Sequence, residues 1–371
     1  MPSGSMGSTP SLLLYCQHST GIGHLMRSFA LCDALAERFR VTVFCGGRLP
    51  PDVRPPHDVD LVVLPGLGTA ADGSLVSHDP AQTAEETMRR RAETLVNALR
   101  DRRPDVLVVE LFPFGRKKFA PELVPLLEEA QAAGDNRPLV VCSVRDILVT
   151  RPVDQDVHDD RACKLANRYF DAVLVHSDPL FARLEESFHP SSPLQVPVYH
   201  TGFVVRRDDE SPSDATTTPR PLVVSAGGGL VGERLLSTAV EAHRLLRDTD
   251  PLPVDVITGP FVAPRAWREL TDAARELPGL RVRRWVPSLL AELRHAAGSV
   301  SQCGYNTALD LVRAAVPALV VPYAEDSEDE QMRRARRLEA LGAVRVLDPA
   351  DLSPSSLAAA IRSLSDFEPR P

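Results

Sequence analysis

One local pattern occurs twice in this chain and narrows what it can fold into. A short apolar run is followed by glycines and then by an amphipathic helical stretch. The first copy is Leu12-Leu13-Leu14-Tyr15-Cys16, then Ser19-Thr20-Gly21-Ile22-Gly23-His24, then residues 25–38. The second is Leu222-Val223-Val224-Ser225, then Gly227-Gly228-Gly229, then residues 233–247. Runs of this kind suit strands buried on both faces, as parallel strands are, and parallel strands need helical crossovers. Each copy therefore reads as the opening of an α/β layer with a parallel sheet.

The remaining pattern continues both layers. Apolar runs at 41–45, 61–64, 106–109, 139–143 and 172–175 follow the first copy, with helical patterns at 81–100 and 121–133 between several of them. Runs at 254–258, 281–285, 298–302, 318–321 and 344–347 follow the second, before a last helical stretch at 353–364. Between them lies RRDDESPSDATTTPRP, whose charges, prolines and small polar residues cannot build a core. A chain of 371 residues also exceeds one ordinary domain. The expected organisation is a Rossmann-like domain over 1–205, an exposed linker over 206–221, and a second Rossmann-like domain over 222–371 whose last helix packs back on the first. The two sheets are expected to face a central cleft.

Composition excludes several classes. A formal net charge of −8 is wrong for a protein that binds nucleic acid by neutralising phosphates. No apolar run approaches the roughly 20 residues of a membrane span, and the N-terminus lacks a secretory pattern. The six cysteines form no CxxC pair and no zinc-spaced cluster, so neither metal nor disulfide is indicated and a cytoplasmic setting is expected.

Ligands of open parallel sheets gather beyond the carboxyl ends of the strands. The loop STGIGH lacks the Gly-Lys-Ser/Thr ending of a P-loop and is no GxGxxG fingerprint. It reads equally as a substrate loop or a tight turn. In Ser301-Gln302-Cys303-Gly304-Tyr305-Asn306-Thr307-Ala308-Leu309-Asp310, a strand ends, Gly304 permits close approach, and a helix starts near Asn306 or Thr307. Its positive end suits a diphosphate, and Asp310 lies one turn inside on the same face, where it can accept from ribose hydroxyls. The alternative is that Asn306 or Thr307 caps the helix and Asp310 is a first-turn acid.

Taken together, STGIGHLMR, SAGGG, RRWVPSLLAEL, SQCGYNTALDLVRAAVPALVVPYAEDSEDEQ and RRLEALGAVRVL resemble the GT-B glycosyltransferases related to the N-acetylglucosaminyltransferase that makes lipid II, in glycosyltransferase family 28. YCQHSTGIGHLMRS, ELFPFGRKKF and SVRDIL add a resemblance to a group of predicted bacterial glycosyltransferases within that superfamily. The resemblance implies that Gly21, Gly23 and His24 lie by the acceptor and the donor phosphates. It implies that Ser225, Gly227, Gly228 and Gly229 hold the leaving diphosphate, and that Val286 contacts the base through its backbone. Asp310 stands where relatives carry a ribose-binding glutamate, one methylene longer. Glu325 and Gln331 fall in the segment that recognises sugar hydroxyls.

His24 is the first candidate for the general base or for a donor to the diphosphate, since a neutral imidazole can take a proton from a hydroxyl near pH 7; the alternative is a histidine at a helix N-terminus satisfied by backbone. Glu110, which directly follows a buried strand, is the other candidate base. Arg116 is a candidate contact for an anionic group, the alternative being a loop pinned by its two phenylalanines; Arg145, assigned with it to the acceptor and phosphate loops, follows a strand and reads as an ion pair with Asp146. Arg116-Lys117-Lys118 falls short of the basic cluster that holds a lipid surface, so a soluble acceptor is favoured.

The expected function is inverting, metal-independent transfer of a sugar from a nucleoside-diphosphate sugar, with UDP favoured, to a hydroxyl or amine of a small-molecule acceptor. Natural-product or cell-envelope biosynthesis is the setting considered. No cofactor beyond the nucleotide-sugar co-substrate is called for, and a monomer or homodimer is expected. A nucleotide-sugar hydrolase, a hydrolysing 2-epimerase and a non-catalytic nucleotide-sugar sensor are the alternatives.

Overall fold

The computed structural model describes residues 9–18, 21–50, 52–70, 73–150, 153–207, 219–324 and 329–370. Contacts divide the chain into two compact units: Met1–Ser19, His24–Leu148 and Val153–Arg207 form the first, and Thr20–Gly23, Val149–Pro152 and Asp208–Pro371 the second. Most of the expected linker, residues 208–218, lies outside the described residues.

The first unit runs β1 (Ser11–Cys16), α1 (Gly23–Leu35), β2 (Arg40–Cys45), β3 (Val59–Val63), β4 (Leu67–Thr69), β5 (Leu75–Ser77), α2 (Ala84–Arg102), β6 (Val106–Glu110), α3 (Ala120–Ala132), β7 (Leu139–Arg145), α4 (Gln155–Tyr169), β8 (Ala172–His176) and β9 (Val198–His200). Seven strands form a parallel sheet in the order β3-β2-β1-β6-β7-β8-β9, and β4 and β5 make a separate antiparallel pair. Side chains alternate across the sheet with period 2. Leu13 and Tyr15, Leu107 and Val109, Cys142 and Val144, and Val173 and Val175 enter one core with α2, α3 and α4. Their neighbours, including Cys16, Glu110, Ser143 and His176, take the opposite face, which α1 reaches through His24 and Arg27. Thr83 and Glu86 cap α2 reciprocally, which starts that helix at a defined residue.

The second unit runs β10 (Leu222–Ser225), α5 (Glu233–Leu246), β11 (Val254–Ile257), α6 (Pro264–Glu276), β12 (Leu280–Arg283), α7 (Leu289–Arg294), β13 (Gly298–Ser301), α8 (Tyr305–Ala314), β14 (Ala318–Val320), α9 (Glu330–Ala340), β15 (Arg345–Val346) and α10 (Pro354–Arg362). Its six parallel strands are ordered β12-β11-β10-β13-β14-β15. Leu222, Val224, Val254, Val256, Val300 and Leu319 pack on one side with Leu236 and Ala239 of α5 and Leu357, Ala358 and Ile361 of α10. The other side is small or polar: Ser225 pairs with Ser301 in register, and Val223 with Ser299 and Asp255.

Both sheets reverse their strand order next to the first strand of the unit, at β1/β6 and at β10/β13. Loops on either side of such a switch point diverge and leave a crevice at the carboxyl ends. His24 and Glu110 flank the first switch point; the glycine loop and the Cys303 to Asn306 segment flank the second.

Candidate active site

At the first switch point, Glu110 is the last residue of β6 and His24 the second of α1. Nδ1 of His24 lies 2.6 Å from Oε1 of Glu110; the carboxylate is 1% exposed and the imidazole 18%. Arg27, one turn along α1, donates to the same oxygen. Burial works to raise the Glu110 pKa, but His24 and the Arg27 and Arg116 guanidinium groups outweigh it and hold the carboxyl well below the usual carboxylate range. Burial also pushes His24 down to about 3, with Arg116 adding to the effect and Glu110 opposing it. An ionised carboxylate can only accept, so Nδ1 of the neutral imidazole carries the hydrogen and Nε2 presents a lone pair. In that tautomer the imidazole keeps its lone pair on Nε2, and Glu110 is the group that fixes the tautomer.

The loop that leaves β6 is braced throughout. Leu111 donates its amide to Ser143 O at 2.8 Å, Cys142 Sγ donates to Phe112 O at 3.1 Å, and Gly115 N donates to Leu111 O at 2.8 Å. Phe112, Phe114 and Phe119 are buried, and Phe114 meets Phe188 edge to face with ring centroids 4.9 Å apart. A Cβ on Gly115 would come within 2.8 Å of the Leu111 side chain. Arg116 then adopts φ 58, and its side chain, 13% exposed, reaches back to 4.0 Å from Oε2 of Glu110. Arg145 ends β7 rather than following it.

Sequence reasoning missed two polar groups here. Ser143 Oγ and His176 Nε2 are 2.7 Å apart and His176 Nδ1 is 2.8 Å from Thr201 Oγ1, while burial pushes His176 down to about 3. Arg91 is fully buried and grips Glu122 through Nε at 2.6 Å and Nη2 at 2.8 Å. It also donates to Gly46 O at 2.9 Å, Pro65 O at 3.0 Å and Gln17 Oε1 at 2.6 Å. One guanidinium therefore ties the chain segments beyond β1, β2 and β3. Arg91 sits in a helix pattern otherwise rich in exposed charge and gave no local signal; His176, a titratable residue at a strand's carboxyl end, did.

In the second unit the glycines have separable reasons. Gly227 has φ 57 and open space around it, so it is required by conformation. Gly229 has φ 88, and a Cβ there would stand 2.4 Å from Thr258 O; Gly259 would clash in turn with the backbone of residues 227–229. The two loops interlock backbone to backbone. Gly228 O accepts from Phe261 N at 3.0 Å.

Helix α8 begins at Tyr305 with Gly304 in the cap position. Neither Asn306 nor Thr307 is the cap, which corrects that alternative: the tight strand-to-helix turn places them inside the first turn. Thr307 is buried and Asp310 half-buried, and Val286, after β12, is buried. Gln331 uses Oε1 to accept the amides of Cys303 at 3.0 Å and Tyr323 at 3.2 Å, bracing two loops together. Arg334 NH1 adds a 2.8 Å bond to Cys303 O. Ser225 Oγ and Ser301 Oγ are buried without a hydrogen bond among the described residues, as is Ser299 Oγ. Glu325 lies outside the described residues. All six cysteines are buried and unbridged, and among the described residues no helix is long and apolar enough to cross a membrane.

Residues 257–371 match the glycosyltransferase family 28 C-terminal domain. The chain is similar to the UDP-N-acetylglucosamine--N-acetylmuramyl-(pentapeptide) pyrophosphoryl-undecaprenol N-acetylglucosamine transferase of Salinibacter ruber, 32% identical over 34% of this chain and 33% of that one. It is 23% identical to the Thermotoga maritima protein of the same name, over 65% of this chain and 63% of that one. The chain thus spans less than two thirds of the length of these curated relatives. Among solved structures it is similar to CalG4, the calicheamicin glycosyltransferase, with a TM-score of 0.61 and 18% identity, covering 96% and 90% of the two chains. It is also similar to Acinetobacter baumannii MurG, with a TM-score of 0.56 and 15% identity over 97% and 92%. The chain therefore has the fold of the GT-B glycosyltransferases, and its residues 257–371 are similar to the family 28 C-terminal domain.

Proposed function

We propose that the protein transfers a sugar from a UDP-sugar to a hydroxyl or amine of a small-molecule acceptor, with inversion, acting in the cytoplasm as a monomer or homodimer. The observation that carries this reading is the His24–Glu110 pair, a neutral imidazole held by an ionised carboxylate in a chain similar over residues 257–371 to the family 28 C-terminal domain. His24 Nε2 takes the proton of the acceptor as its oxygen or nitrogen attacks the anomeric carbon. The bond from that carbon to the diphosphate breaks, and its electron pair leaves with the diphosphate oxygen.

The leaving diphosphate gains negative charge, which the amides of Gly227 and Gly228 and the N-terminus of α8 are suited to stabilise, the Gly229 amide being already donated to Ala226 O at 3.0 Å. No divalent ion is assigned a role. Asp310 is assigned to the ribose and Val286 to the base through its backbone. Any sugar contact made by Gln331 comes from Nε2, because its Oε1 is already bonded. The names of the curated relatives, all transferases of N-acetylglucosamine from its UDP derivative, support UDP as the carrier.

The test is incubation with a panel of UDP-, GDP- and dTDP-sugars, with and without a mixture of phenolic and amine acceptors, following nucleotide release and product mass. Release that requires acceptor, with product heavier by one sugar, is the expected result. Equal release of free sugar without acceptor would overturn it in favour of a hydrolase.

A further inference from the structure

Three arginines of this protein grip a carboxylate with the same edge of the guanidinium, the one formed by Nε and Nη2. Arg91 holds Glu122 this way at 2.6 and 2.8 Å. Arg100 holds Glu129 at 2.7 and 2.7 Å, and Arg283 holds Asp255. On Arg116 this edge makes no hydrogen bond among the described residues: both Nε and Nη2 are buried donors without an acceptor. The nearest carboxylate oxygen, Glu110 Oε2, is 4.0 Å from Nε, beyond hydrogen-bond reach, and itself accepts nothing.

We propose that the Nε/Nη2 edge of Arg116 is the receptor for a carboxylate or phosphate group of the acceptor, so that the acceptor is an anionic alcohol or amine. The inference rests on the transferase reading and names the acceptor class for it.

Three further observations support this assignment. Buried donors left unmade cost free energy, more so when charged, and the Nε/Nη2 edge matches the two oxygens of a carboxylate or phosphate. Arg116 is itself a buried charge whose nearest carboxylate oxygen lies beyond hydrogen-bond reach, a costly arrangement unless an anion meets it. The braced loop also fixes where the fork points: residues 111–115 are pinned by hydrogen bonds and aromatic packing, and Arg116 is held at φ 58, a conformation that non-glycine residues adopt at a cost. Neutral polar partners would satisfy the donors but leave the charge. An oxyanion satisfies both, and a hydroxyl on the same molecule can donate to Glu110 Oε2. The oxyanion also cancels one of the charges that depress His24, so the base strengthens when such an acceptor is in place.

The experiment uses the full chain with saturating UDP, which occupies the diphosphate site and by its own thermal stabilisation reports an intact donor side. Benzoate and inorganic phosphate are the probes and benzamide the neutral control, read by calorimetry and thermal shift on the natural protein, Arg116→Gln and Arg116→Lys. Benzoate or phosphate should bind the natural protein and benzamide should not. Binding should weaken on the order of tenfold in Arg116→Gln and less in Arg116→Lys, which keeps the charge without the fork. If Arg116→Gln does not fold, Arg116→Lys carries the same comparison. In turnover, 4-hydroxybenzoate should be preferred over 4-hydroxybenzamide only when Arg116 is present. Equal affinity for benzoate and benzamide, or anion binding unchanged in both variants, overturns the proposal. UDP binding lost throughout would instead overturn the donor reading.

Discussion

The two switch points share one topology and use opposite materials. At β1/β6 the crevice is lined by ionisable side chains, with His24, Arg27, Glu110 and Arg116 within one buried cluster. At β10/β13 it is lined by backbone: glycines that interlock, a helix N-terminus capped by Gly304, and side chains such as Gln331 and Arg334 that hold loops instead of pointing charge. Proton transfer needs a side chain of tunable pKa, whereas a diphosphate is well met by fixed N–H dipoles that need no titration. On the proposed reading one topology serves two chemistries, and substitutions should separate them.

The largest effect is expected from His24→Ala, which removes the base and should lower turnover by about 10²–10⁴-fold. If His24 serves as base alone, stabilisation by UDP in a thermal melt should be unchanged; loss of both together would break the division and assign His24 to the donor phosphates as well. Next is Arg91→Met, which strands Glu122 in the core and should cost about 3–5 kcal/mol in urea unfolding. Adding Glu122→Leu should return much of it, and a double variant no better than the single one would contradict a buried-charge origin. Gly229→Ala forces a Cβ to within 2.4 Å of Thr258 O at φ 88, so a loss of about 1–3 kcal/mol with weakened UDP binding is expected. A melting curve and UDP titration equal to the natural protein would show that the interlock is slack.

Acid stability sharpens the comparison further. His24 and His176 stand near pKa 3 when folded and near the ordinary value of 6.5 when unfolded. The unfolded chain therefore binds more protons between those values, and stability rises with pH. This contribution is fully present above about 6.5 and is lost as pH falls towards 3, each histidine contributing a slope of up to about 1.4 kcal/mol per pH unit. Removing one by His176→Asn should flatten the measured dependence over that window, and an unchanged slope would mean that His176 is not held neutral. The smallest effect is that of Ser299→Ala, which deletes a buried hydroxyl without a described hydrogen bond and should shift stability by about 0.5 kcal/mol or less. If Ser225→Ala or Ser301→Ala weakens UDP binding while Ser299→Ala does not, the hydroxyls at the strand ends face the ligand.

The fold was legible because buried parallel strands leave unbroken apolar runs and glycine loops punctuate them. Both sheets begin at the residues expected, with boundaries moving by one or two positions. The pairing of His24 with Glu110 is not legible in sequence, where they stand as rival bases; only the register of β1 against β6 and the course of α1 make them partners. Arg27 belongs to the same cluster but reads in sequence as an exposed helical charge. The role of Gln331 was hidden for a related reason, since a side chain that braces two backbone segments has no local pattern. Short elements such as β4, β5 and β9, of three residues each, carry too little periodicity to be seen.

Arg91 has a consequence for how such a protein can be altered. Because a single guanidinium holds the segments beyond β1, β2 and β3, an insertion or exchange in any one of them disturbs the other two. Those three segments form an indivisible module, and the outer strand ends at β7, β8 and β9, which Arg91 does not touch, are the places where a new acceptor preference can be written one loop at a time.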